Sequence, residues 1–345
     1  MPAPDAAAPG SPGFLAACHL LLLDGQVEPS DVAALISNRQ PELAAAQPGP
    51  GGIPERRLSR HSRLVGPVPL DAPLRAELGL PAWARAAFAL AGPRDREAEP
   101  PPEWVRRADE LAPFFPAGLP DREEGRGLAL LVALARRLHT AVRCADEASA
   151  APDRTAQSDP AGLAAAAAPP GQSGAERILT PDPDAHIDLV VYSHYWLAPD
   201  VLLARVRAVA PGARMPLPVS AEALERLGAE IDPAEPIVLD GYAVEVDLAE
   251  LGLEAGLIEI GVLLEEAVPG IVAAHAAGPQ IAYRLRWQPL AQDLGEALDT
   301  ADPAVRRMRA GAAERIEALA GAIMRATAGI ALDHDGFLVS ERQLG

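Results

Sequence analysis

Between residues 150 and 174 the chain carries one large apolar side chain, Leu163, in a run made mostly of Ala, Pro, Gly and small polar residues. Such a run cannot remove enough apolar surface from water to offset the entropy of ordering it. Cores must therefore form on either side of it. This predicts a disordered tail over 1–13, a first domain over 14–149, a flexible linker over 150–175 and a second domain over 176–345.

The two flanks have different grammar. In the first, proline recurs every few residues and cuts the chain into short pieces. The apolar run Phe14–Leu23 suits a buried strand or a helix, since periodicity cannot decide over ten residues. Ser30 reads as the cap of a short helix, Pro81 opens a helix through Leu90, and Asp121–Glu147 reads as one long helix. On that helix Leu128, Leu131, Leu134, Leu138 and Val142 recur at spacings of three and four.

The second flank reads as strands and helices in turn. Strands are expected at Ile187–Ser193, Leu257–Leu264 and Ile281–Trp287, with a hairpin across Asp240-Gly241 between Ile237–Leu239 and Tyr242–Val246. Helices are expected at Pro199–Val209, Ser220–Gly228, Val268–Ala277 and Ala304–Ala328, the last ended by Gly329. The expected class is α+β: a C-terminal, antiparallel-rich (mixed) sheet covered by helices, preceded by a smaller, mostly helical, proline-rich region. No internal repeat is evident in the residues.

All thirty basic residues are arginine. Without lysine there can be no Walker-type phosphate loop, no Schiff-base enzyme and no kinase-type catalytic lysine. No Gly-x-Ser-x-Gly elbow, His-Glu-x-x-His, Cys-x-x-Cys or glycine-rich dinucleotide fingerprint occurs, and nothing calls for a cofactor. The net charge is −18, and residues 177–345 carry 26 acids against 13 Arg, or −13. A field of that sign repels nucleic acid and anionic lipid and favours a cationic protein or peptide. Two distant cysteines, Cys18 and Cys144, fit a reducing compartment, and the residues before Arg39 lack the basic start of a secretory signal. The expected setting is cytoplasmic.

The candidate functional residues lie in the second domain. Tyr192-Ser193-His194-Tyr195-Trp196 gathers aromatics and a histidine where a strand ends, so Tyr192, His194 and Trp196 can clamp a ligand or plug a core. Glu245, Asp247, Glu259, Arg284 and Arg286 can share one sheet face, as a ligand clamp or as ordinary cross-strand ion pairs. For metal, Asp182, Asp184 and Asp188 form a loose acidic group and Asp333-His334-Asp335-Gly336 resembles part of a calcium loop. Neither has a full ligand register, and an extended chain holds His186 and His194 roughly 26 Å apart. Cys18 beside His19 is a weak pair, Cys144 reads as an inert thiol on the long helix, and Glu55–Arg63 is the one dense basic run.

The expected function is therefore a non-enzymatic binding module, of inhibitor, immunity or adaptor type, for a cationic protein or peptide. The enzyme alternative uses His194 as acid/base, Glu245 or Glu259 as its partner, and Arg284 and Arg286 as substrate anchors. A third reading makes the long helix at 304–328 a packing surface in a larger assembly.

Overall fold

A computed structural model describes residues 8–145, 177–216, 241–290 and 302–344. The expected linker, the helix at 220–228 and the first strand of the Asp240-Gly241 hairpin lie outside them. The chain divides into two compact units: Met1–Ser37 with Glu42–Pro183, and Asn38–Pro41 with Asp184–Gly345.

The first unit contains helices α1 (Pro12–Ala17), α2 (Pro29–Arg39), α3 (Ala72–Glu77), α4 (Glu103–Ala108) and α5 (Arg122–Arg137). Its centre is a seven-stranded antiparallel sheet that a mostly helical reading does not anticipate. The strands are β1 (His19–Leu23), β2 (Gln47–Pro48), β3 (Pro54–Arg57), β4 (Arg63–Pro69), β5 (Ala86–Ala91), β6 (Ala141–Arg143) and β7 (Ile178–Leu179), in the order β2-β3-β4-β5-β1-β6-β7.

Four local differences from the sequence reading have physical causes. Pro12 and Gly13, expected within the tail, are helical, because the Ser11 side chain accepts the Phe14 N–H and Pro12 pre-sets the first turn of α1. The run Phe14–Leu23 is helix and then strand, and all five residues of β1 are buried. Residues 86–90 are strand, not helix. Alanine's helix propensity amounts to well under ~1 kcal/mol per residue, and pairing on both sides, to β1 and β4, overrides it. The long helix stops at Arg137, so Val142 and Cys144 are not on it. Its end is a Schellman motif in which the Thr140 N–H reaches Ala135 O and the His139 N–H reaches Arg136 O, with His139 itself left-handed at φ 53°.

In the second unit the strands are β8 (Leu189–Ser193), β9 (Gly241–Asp247), β10 (Leu257–Glu265), β11 (Gln280–Gln288), β12 (Ile330–Asp333) and β13 (Leu338–Val339). They form one sheet, ordered β9-β10-β11-β8-β12-β13, and every ladder is antiparallel. Helices α6 (Pro199–Val209) and α8 (Pro303–Thr327) share one core with Val191, Ile258, Ile260, Val262, Tyr283 and Leu285. The short α7 (Gly270–His275) packs with Tyr192 and Ala282 on the opposite face. The left-handed residue closing α8 is Ala328, at φ 48°. Gly329 is needed for another reason: a Cβ there would lie 2.7 Å from the Tyr192 carbonyl oxygen.

The two units have one topology. Omitting the two-residue β2, the first sheet runs β3-β4-β5-β1-β6-β7, matching the second strand for strand in space and in chain order. In each, the first strand leads through five residues to an eleven-residue helix that starts on proline, Pro29 or Pro199. Val32 and Ile36 are buried at the places of Leu202 and Val206, 170 positions later. Over 19–39 and 189–209 only the proline and one alanine (Ala34, Ala204) are identical, so the repeat lives in burial and pairing rather than in residue identity.

Candidate functional site

The loop 194–198, between the end of β8 and the start of α6, is held from below by hydroxyl groups. Ser193 Oγ accepts the Tyr195 N–H at 3.1 Å and donates to Thr327 O at 2.8 Å. The fully buried Tyr283 donates its hydroxyl to Tyr195 O at 2.6 Å and accepts the Leu197 N–H at 2.9 Å. Tyr242, on β9, donates to Leu197 O. Burial raises the pKa of both tyrosines, so both keep the proton they donate. The pinned backbone turns the intervening side chains outward: Tyr195 is 65% exposed and Trp196 45%. The Trp196 ring stands at 68° to that of Tyr242, with centroids 5.4 Å apart.

The corresponding loop of the first unit, 24–28, reads Asp24-Gly25-Gln26-Val27-Glu28 and carries no aromatic residue. It closes on itself, with Asp24 Oδ1 accepting the N–H groups of Gln26 and Val27 at 2.8 and 3.0 Å. Below it, Phe88 pairs with Leu21 as Tyr283 pairs with Val191. The first unit has the same ring without the hydroxyl. This connection of the fold therefore closes without exposed aromatics.

The other candidate residues are dispersed. Tyr192 is buried on the face opposite the Tyr283 core, and its hydroxyl, pushed up to about 12 by burial, donates to Glu265 Oε2 at 3.1 Å. It is a plug and not part of a clamp. His194 is exposed and its Nδ1 meets the Gln280 side chain at 3.1 Å. Glu245, Glu259 and Arg286 form one cross-strand row on the face expected for them. That row lies six residues along β11 from Gln280, about 20 Å at the usual strand rise. His194 therefore meets neither Glu245 nor Glu259, and the acid/base pair of the enzyme alternative is not assembled. Arg284 is committed to Glu265, with Nε to Oε1 at 2.9 Å, while Glu245 and Asp247 engage Arg214 at 2.9 and 3.6 Å. A depression of about 380 Å³ beside Ala210, Val246 and Arg315 is reached by Asp247 alone of these residues.

The fold brings together the segments considered for metal, stacking His186 on His334 at 3.9 Å and 14°. Among the described residues, no group of three His, Cys, Asp or Glu side chains could hold an ion. The basic run at 55–63 is the β3–β4 hairpin: Arg56 is buried and donates to Ser37 Oγ at 3.2 Å, and Arg63 meets Glu55 at 3.4 Å. The apolar stripe of α8 (Met308, Ala312, Ile316, Leu319, Ile323) faces its own core, which leaves no packing surface of the kind the third reading needs.

One polar cluster escaped the sequence reading. His19 and Glu124, side chains 2% and 1% exposed, meet at 2.8 Å from Nε2 to Oε1, and Arg94 and Arg96 each reach the same oxygen at 2.8 Å. His19 Nδ1 accepts the Ala145 N–H at 3.2 Å, so the imidazole is neutral with its proton on Nε2. Burial pushes its pKa down to about 4 against the Glu124 hydrogen bond. Glu124 is raised by burial but held below the ordinary carboxylate range overall, through its hydrogen bonds to His19 and Arg94 and the charge of Arg96. The adjoining pocket, about 10 Å³, holds roughly one water. With both imidazole nitrogens occupied and no room for substrate, the cluster is a buried polar anchor. Its one sequence signal is a histidine heading an otherwise all-leucine strand. The thiols of Cys18 and Cys144 are buried and unpaired, pushed up to about 11 and 12 by burial, and so are poor nucleophiles.

No protein family, no curated protein and no solved structure matches this chain. No helix among the described residues is long and apolar enough to cross a membrane.

Proposed function

We propose that the chain is a non-enzymatic interaction module whose second unit binds a cationic protein or peptide through the loop 194–198. The observation that carries this reading is the pinned backbone: Tyr283 and Tyr242 spend their hydroxyls on holding a loop that turns Tyr195 and Trp196 into solvent. Rigid exposed aromatics are the side chains that dominate binding energy at protein interfaces, because they bring area at low entropic cost. The first unit makes the same connection with Asp24-Gly25-Gln26-Val27-Glu28, so folding does not account for the aromatics. The charge of −13 over residues 177–345 selects a partner of opposite sign. A cytoplasmic setting belongs to the proposal and is supported by the two unpaired thiols.

The test is capture from an extract of the protein's own cells by the full chain and by a Tyr195→Ala/Trp196→Ala variant, at low and high salt, read by mass spectrometry. The wild type is expected to retain a basic partner that salt weakens and the variant loses. Identical captured sets for both proteins would remove the loop from the function.

A further inference from the structure

Trp196 and Tyr242 meet edge to face and so form a corner, whose exposed wall is Trp196. Their centroids are 5.4 Å apart and their planes meet at 68°, and nearly half of the Trp196 side remains in contact with solvent. Asp200, four residues after Trp196 in the first turn of α6, is exposed and has no ion-pair partner among the described residues. Its charge reaches the Tyr242 hydroxyl, where it adds to burial in holding the phenolic proton. Aromatic faces carry negative potential, so two of them beside a carboxylate make a site for a cation.

The shape narrows the class. A quaternary ammonium is recognised when aromatic rings enclose it, and here two walls leave the third side open. A guanidinium is flat, stacks on one indole face and offers donors in a fork that matches a carboxylate. The backbone at Tyr195 and Leu197 is held by three hydrogen bonds with Tyr283 and Tyr242, so the chain that carries Trp196 is fixed before anything arrives. Glu266, exposed at the end of β10, lies at the same end of the sheet, since β8 and β10 both run antiparallel to β11.

We infer that this corner binds an arginine side chain of the partner, with the guanidinium stacked on Trp196 beside Tyr242 and paired to Asp200. The inference rests on the loop being the partner-binding site and supplies the chemistry that the loop selects.

The test titrates the full chain, by calorimetry at low salt, with a capped peptide of alternating glycine and arginine and with its citrulline counterpart. Citrulline keeps the planar urea and removes the charge. The arginine peptide is expected to bind and the citrulline peptide to fail. Trp196→Ala should weaken binding about 3- to 30-fold, the range set by exposed to desolvated cation–π contacts. Asp200→Asn should weaken it about 2- to 5-fold, and Trp196→Phe should fall between wild type and alanine. A control at a distant acid, Glu314→Gln, should change little. Equal binding in wild type, Trp196→Ala and Asp200→Asn would mean that net charge alone attracts the peptide, and the inference fails. It also fails if a trimethyllysine peptide binds more tightly than the arginine peptide, or if no arginine binding is measurable at millimolar concentration. These failures leave the interaction role standing wherever partner capture still depends on Tyr195 and Trp196. Capture that ignores both residues removes that role instead.

Discussion

Tyr283→Phe separates what the ring does from what the hydroxyl does. The ring fills a place that Phe88 fills in the first unit, so the variant keeps a packing the fold already uses. Only two hydrogen bonds go: the one given to Tyr195 O and the one accepted from the Leu197 N–H. A hydrogen bond contributes about 0.5–1.5 kcal/mol net, and here water can reach part of the loop and replace some of the loss. The expected cost is therefore about 1–2 kcal/mol, confined to the loop. Because the chain has two compact units, a single melting temperature reports poorly on it. Amide hydrogen exchange at Leu197 reads the bond directly, and a local opening made easier by that amount should speed it roughly 5- to 30-fold. Exchange within β11 should stay as in the wild type. A Leu197 amide that exchanges at its original rate in the variant would refute the claim that Tyr283 holds the loop. Partner affinity should fall by no more than the same factor, since Tyr195 and Trp196 are still present and only their preorganisation is lost.

Glu124→Gln removes the one carboxylate that His19, Arg94 and Arg96 share. Breaking a buried charge pair commonly costs about 3–5 kcal/mol; with both arginines about a fifth exposed, ~2–4 kcal/mol is expected, read as faster exchange of the β1 amides. Unchanged β1 exchange would show the cluster to be dispensable. The same cluster predicts a pH dependence of the first unit. His19 is pushed from its ordinary ~6.5 to about 4 by burial, so its neutral form is the folded one. Its contribution is complete above ~pH 6.5 and drains away as pH falls towards 4, a loss of about 3 kcal/mol, because the unfolded chain takes up the proton first. Glu124, held below the ordinary carboxylate range, acts in the same direction at lower pH. His19→Gln should start less stable at pH 7 and flatten the profile between ~6.5 and 4.5. An equally steep profile in that variant would place the acid sensitivity elsewhere.

The second unit was most legible where one face of a strand is only half buried, as in β9 and β10. Ile258, Ile260 and Val262 alternate with half-buried residues, and Pro199 marks the start of its helix. Where that alternation ends at Leu264, which is half exposed, the sequence reading overran the core. In the first unit the central strands are covered on both sides: β1 is buried throughout, and β5 is mostly alanine, which has no strand signature of its own. The end of α5 was equally hidden, because a histidine holds the left-handed position that glycine usually announces. The aromatic group at 192–196 was visible as composition, but its division was not. Tyr192 turns inward, while the hydroxyls that push Tyr195 and Trp196 outward come from 45 and 86–88 residues away. No local spacing encodes that.

The shared topology supplies a comparison within the chain itself. Each unit is a stable answer to the same problem of covering a six-strand order with helices, so a costly feature present in one copy and absent from the other is not required by the fold. Two such features stand out. In the first unit His19 and its ion cluster occupy a strand position that Leu189 fills in the second, where an apolar side chain suffices. In the second unit exposed aromatics occupy a loop that an Asp-Gly turn closes in the first. The two features differ in direction. The cluster has no room for a substrate, with both imidazole nitrogens occupied and an adjoining pocket the size of one water, so it reads as a structural anchor of its own unit. The aromatic loop has a pinned backbone and turns Tyr195 and Trp196 into solvent, so their rings remain free to contact something outside the molecule. That difference in accessibility, rather than in polarity, is why the proposed partner site is the loop of the second unit and not the cluster of the first.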